Sequence, residues 1–75
     1  MEFIEMSGKM LFRLAEQDGP TPKDLAEIGV TKESIVRINR QGDIELRRQD
    51  RWDVIGGLLG DFEQRVKQET GLDWA

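Results

Sequence analysis

The chain has no cysteine and no histidine in its 75 residues, and that double absence constrains it more than any motif does. A domain this short buries only about 60% of the surface its unfolded chain exposes, and natural domains of this size draw on disulfides, a structural metal or a partner subunit. Disulfides are excluded here, and zinc-type ions lose the nitrogen and sulfur ligands they prefer. Close packing or self-association is left as the support. The same absence removes the neutral-pH imidazole base and the thiolate nucleophile. A chain too short to enclose a cavity then has its outer surface to act with, so no enzyme activity, cofactor, metal or small-molecule substrate is expected.

The remaining chemical groups read as structure. Ser7 and Ser34 supply the serine hydroxyls, and both stand where a helix cap or turn is expected. Asp50 with Asp53, and Asp61 with Glu63, are the closest acid clusters, and a solvated acidic face accounts for them. Gly56-Gly57-Leu58-Leu59-Gly60 precedes a helix, and glycine-rich turns at helix starts can cradle phosphate. The phosphate-loop pattern, however, needs Lys followed by Ser or Thr after its last glycine. Here Asp61 follows Gly60 and puts a negative charge where phosphate would sit. These glycines are expected to let strand and helix pack closely.

Net charge is −4, unevenly spread. Residues 1–30 hold three bases and six acids, residues 31–52 six bases and four acids, and residues 53–75 two bases and five acids. The mildly basic middle permits a local nucleic-acid contact without the strong basic signature that phosphate neutralisation usually leaves. No apolar run approaches the roughly 18 residues that span a bilayer, and Met1-Glu2-Phe3-Ile4-Glu5-Met6 lacks the basic and apolar regions of a signal peptide. No membrane association and a cytoplasmic location are expected. Met6-Ser7 offers an alternative start, which would make the first five residues an extension.

Along the chain, 7–17 reads as a first helix, with Met10, Leu11, Leu14 and Ala15 at helical spacing and Ser7 as N-cap. Asp18-Gly19-Pro20 ends it. Thr21 as cap, Pro22 at the first helical position, Asp24 at the third and Gly29 beyond the end predict a helix over 22–28. Segment 30–42 admits two readings. As a helix it has Thr31 as cap and Val30 with Ile35 as a hydrophobic staple. As a strand it has β-branched residues over 34–38, followed by the turn Asn39-Arg40-Gln41-Gly42 and the alternating return strand Ile44-Glu45-Leu46-Arg47. The strand is favoured. Arg48-Gln49-Asp50 makes a second turn and Trp52-Asp53-Val54 alternates again, so a two- or three-stranded antiparallel sheet is expected over 34–55. Its inward residues would be Ile44, Leu46, Trp52 and Val54. A last amphipathic helix carries Leu58, Leu59, Phe62 and Val66 on one stripe. It starts at Leu58 or Phe62, with Asp61 and Gln64 able to form a capping box, and ends at Gly71.

If 31–41 is helical, Leu25-Ala26-Glu27-Ile28-Gly29-Val30-Thr31-Lys32-Glu33-Ser34-Ile35-Val36-Arg37 resembles a helix-turn-helix core. The hairpin over 44–54, tipped by Arg48 and Arg51, then resembles the wing of winged-helix proteins. The resemblance covers roughly 30 residues and departs from the family in two respects: Gly29 follows Ala26 by three positions where the pattern has four, a rotation of about 100°, and the recognition helix must finish by Gln41, which leaves it about ten residues. It implies a DNA-binding regulator in which Lys32, Arg37, Arg40, Arg48 and Arg51 face the duplex.

Without that resemblance, the expectation is an α+β domain over 1–75: two N-terminal helices, a small antiparallel β-hairpin or meander, then a C-terminal amphipathic helix, with 1–6 and 72–75 as tails that can flex. Its expected role is a non-enzymatic protein-interaction module or regulatory subunit, with a protein partner or a second copy meeting Leu72 and Trp74. A tryptophan near the end of the sequence costs solubility unless it docks, and its own core and a partner are equally good docking places.

Overall fold

The computed structural model describes residues 2–16 and 19–74. Among these, the chain forms β1 (Phe3–Ser7), α1 (Gly8–Ala15), α2 (Pro22–Ile28), β2 (Ile35–Asn39), β3 (Asp43–Arg47), β4 (Trp52–Gly57) and α3 (Phe62–Thr70). The molecule is a small α+β unit, but the expected order of elements is overturned. A strand precedes the helices, and the sheet has four strands, antiparallel throughout, in the order β1-β2-β3-β4. Residues 3–6, expected to belong to a tail, pair with β2 in the register Ile4↔Ile38 and Met6↔Val36. The reason is alternation: Ile4 is buried and Met6 packs against the core, while Phe3 and Glu5 point the other way.

The helix termini follow local chemistry. Ser7 Oγ accepts a bond from the Met10 N–H (3.2 Å) and caps α1. Residues 17 and 18, where that helix was expected to end, lie outside the described residues. Thr21 and Asp24 form a reciprocal capping box on α2, with Pro22 in its first turn and Gly29 closing it at φ +111°. At the start of α3, Asp61 makes no side-chain capping bond, so the Asp61–Gln64 box is not formed. That helix begins at Phe62, and Leu58 and Leu59 precede it, the first buried and the second exposed.

Segment 31–41 is a turn, a strand and a turn, not a helix. The Asn39 backbone carbonyl accepts from the Gly42 N–H (3.0 Å), its side-chain Oδ1 accepts from the Asp43 N–H (2.9 Å), and Gly42 sits at φ +92°. A positive φ is available to glycine without steric cost, which is why the hairpin turns there. The core lies between one face of the sheet and the three helices. Ile4, Val36, Ile38, Ile44 and Leu46 meet Leu11, Leu14, Leu25, Leu58 and Val66.

Two of the four expected inward residues are on the wrong face. Ile44 and Leu46 are buried, but Trp52 is only half-buried and Val54 is 65% exposed. Trp52 pairs with Arg47 and Val54 with Glu45, and directly opposed residues of an antiparallel pair share a face. Apolarity suggested one side and the pairing register selects the other. Among the described residues, no helix is long and apolar enough to cross a membrane.

Candidate interaction surface

The register lays out the face of the sheet that turns away from the helices. Phe3 and Glu5 on β1, Ile35, Arg37 and Asn39 on β2, Asp43, Glu45 and Arg47 on β3, and Trp52 and Val54 on β4 share it. Two large apolar side chains stand open on this face, Ile35 at 53% and Val54 at 65% exposure. Between them runs a fixed stack. The Arg37 guanidinium carbon lies 3.8 Å from the Phe3 ring centroid and 4.2 Å from that of Trp52. The same guanidinium donates from Nε (3.1 Å) and Nη2 (2.8 Å) to Glu45 Oε1. Arg47 lies farther out, 5.7 Å from the Trp52 centroid. A planar cation held by two ring faces and a carboxylate loses most of its rotamer freedom, so the centre of this face is rigid.

Arg37→Ala should therefore cost stability rather than merely alter the surface. It leaves the mostly buried Glu45 carboxylate without its cation and removes both ring contacts, an expected loss of about 2–3 kcal/mol. Arg37→Lys should recover less than half of it, because an ammonium cannot lie flat between two rings. Urea midpoints for the three proteins check this, and equal midpoints for wild type and Arg37→Ala would show the stack to be idle.

The five cations singled out for a duplex are not gathered on one element. Lys32 lies in the exposed turn before β2. Arg37 is in the stack, and Arg40 in the β2–β3 turn donates to the Trp74 carbonyl (2.7 Å). Arg48 is folded against Asp53 (Nε 3.1 Å, Nη2 3.0 Å) and the Ile28 carbonyl (3.2 Å). Arg51 stands at the hairpin tip beside Asp50 (3.6 Å). The recognition helix that would have aligned three of them is absent, because 35–39 is strand.

Trp74 docks on its own core. It is 3% exposed, its indole N–H donates to the Ile38 carbonyl (3.0 Å), and it meets Phe62 edge to face at 5.9 Å. As an exposed anchor for a partner it is corrected, while Leu72 remains exposed at the surface. Sequence reasoning missed Phe3, Ile35, Trp52 and Val54 as members of one surface. The alternation in 52–54 was visible, but nothing local said which side it faced.

Ser7 Oγ is engaged as a cap and Ser34 Oγ accepts from the Thr31 N–H (2.8 Å). Among the described residues, no group of three or more acids is placed to hold a metal ion. Two open depressions of about 340 Å³ each flank Arg40, one against α3 and Trp74, the other against Phe3 and Asn39. In the first, Lys67 and Asp73 already pair with each other at 3.5 Å.

Comparison with models of protein families, with curated proteins and with solved structures finds no match for the chain.

Proposed function

We propose that the protein is a non-enzymatic binding module that engages another polypeptide through the helix-free face of its sheet. The observation that carries this reading is the pair of exposed apolar side chains, Ile35 and Val54, set around a rigid arginine–aromatic centre. Interfaces are enriched in aromatic residues and arginine at their centres, where ordering has been settled before the partner arrives. Charge favours a polypeptide over a nucleic acid. The face carries three acids, Glu5, Asp43 and Glu45, against two bases, Arg37 and Arg47, and phosphate binding calls for the opposite balance.

Ile35→Lys tests the reading. Ile35 is on the surface, so the substitution should leave the unfolding midpoint within about 0.5 kcal/mol of wild type. Proteins retained from extract by the immobilised wild type should be lost from the variant. Retention of the same proteins by both forms would sink the proposal.

A further inference from the structure

We propose that β4 is a dimer seam, at which two copies of this chain pair antiparallel, edge to edge, about a two-fold axis at Asp53. The strand order leaves the outer edges of β1 and β4 unpaired among the described residues. Which backbone groups those edges present follows from the turns. The Arg48 N–H donates to the Arg51 carbonyl (2.8 Å), so these two residues turn their polar groups toward each other. Alternation along an antiparallel ladder then turns those of Asp53 inward to Leu46, and the N–H and C=O of Trp52 and Val54 outward. Beyond Val54 the ladder is interrupted by the irregularity at Ile44/Glu45. The far end of the strand is also closed off, since a Cβ on Gly19 would lie 3.2 Å from the Gly57 carbonyl oxygen. The open edge is thus short, 52–54, and one register satisfies it. Trp52 of each copy pairs with Val54 of the other, which uses all four outward groups on each chain.

The side chains agree with that register. On the helix-free face it sets Trp52 against Val54 of the other copy twice, an aromatic with a β-branched residue, among the stabilising cross-strand pairs. It also gives the 65% exposed Val54 an aromatic neighbour at its side and leaves the face itself open. On the opposite face Asp53 meets its own copy across the axis. Like charges there would repel, but each Asp53 already holds the guanidinium of Arg48 at 3.0–3.1 Å, so the two acids arrive with two cations. The other edge lacks this complementarity: overlap of β1 with its copy over Phe3–Ser7 sets Glu5 against Glu5. Natural edges are guarded by charged side chains or proline. Glu5 guards β1, whereas Val54 on β4 guards nothing.

The seam goes beyond the binding reading of the sheet face, because its hydrogen bonds are backbone bonds. A monomeric protein with a working face would defeat the seam and spare the face. The test uses the full chain, which contains no cysteine of its own. The wild type should sediment as a dimer, and Val54→Lys should weaken association at least about tenfold with an unchanged circular dichroism spectrum. Asp53→Cys should cross-link to itself under mild oxidation, because residues opposed in a non-hydrogen-bonded pair have Cα atoms about 4.5 Å apart, within disulfide range. Glu5→Cys, on the other edge and the more exposed of the two positions, should not. A wild type that stays monomeric as its concentration is raised overturns the proposal, as does Asp53→Cys cross-linking no faster than Glu5→Cys.

Discussion

Replacing Trp74 with alanine is expected to cost about 4–6 kcal/mol, a large share of the stability a chain this short can hold. Domains carry roughly 0.05–0.15 kcal/mol per residue, which for this length is about 4–11 kcal/mol in total. Truncating a buried Trp to Ala removes about 3–5 kcal/mol through lost transfer energy and the cavity left behind. The edge-to-face contact with Phe62 at 5.9 Å goes with it, and so does the indole N–H that satisfies the Ile38 carbonyl, worth about 1 kcal/mol or more. The Arg40 bond to the Trp74 carbonyl is a backbone contact and gives the variant no compensation once the ring no longer anchors the segment. Trp74→Phe separates the contributions. It keeps an aromatic ring and loses the donor, so it should cost about 1–3 kcal/mol. Urea unfolding followed by circular dichroism reads all three proteins. A cost for Trp74→Ala under about 1 kcal/mol would mean that this tryptophan does not pack against α3 and β2, and would return it to the surface as an anchor for a partner.

How far the fold could be read from the sequence depended on the distance over which each element is decided. Helix α2 was legible to the residue because Thr21, Pro22, Asp24 and Gly29 act within one turn of its ends. The β2–β3 turn was legible for the same reason, through Asn39 and Gly42. β1 was not, because a five-residue strand has no local signal strong enough to outweigh a flexible tail. What holds Ile4 and Met6 is Ile38 and Val36, brought from the far side of two helices. The face of β4 was illegible for a different reason: Trp52-Asp53-Val54 alternates either way up, and only its register with β3 decides which side is wet.

The candidate surface was harder still. Arg37 was picked out by its charge and assigned to a duplex, on the premise that its segment could be helical. Its partners Phe3, Glu45 and Trp52 come from the three other strands, so no spacing in the sequence announces the stack. A helix-turn-helix resemblance built on residues 25–37 used real local signals, the α2 C-cap Gly29 among them, and failed at Ile35-Val36-Arg37-Ile38. There β-branched residues found strands on both sides to pair with. Tertiary pairing overrode a local pattern that either structure could have satisfied.

Gly8→Ala is expected to destabilise the protein by about 3 kcal/mol or more, against the local preference of the sequence. Gly8 is the first residue of α1 and its φ is not positive, so an L side chain meets no backbone strain there. Helix propensity alone would favour alanine by up to about 1 kcal/mol. Packing decides the sign. A Cβ at Gly8 would collide with the Thr31 carbonyl oxygen and lie 3.0 Å from its carbon and 3.1 Å from Val30 Cγ1. The 31–34 turn has no room to retreat, because it is tied to this same junction. The Gly8 N–H donates to the Ser34 carbonyl (2.8 Å), the Lys9 N–H to the Lys32 carbonyl (3.2 Å), and Val30 beside it is buried. Moving the turn would loosen the entry to β2 at Ile35, which pairs with Ser7, and β1 would lose its hold on the sheet. Gly71→Ala supplies the contrast: its φ is +77° but nothing lies within 4 Å of the added carbon, so backbone strain alone should cost about 1 kcal/mol. Chemical denaturation of both variants should give the larger loss at Gly8. A Gly8→Ala protein as stable as wild type would mean that β1 and the 31–34 turn do not meet, and the four-stranded sheet would lose its first strand.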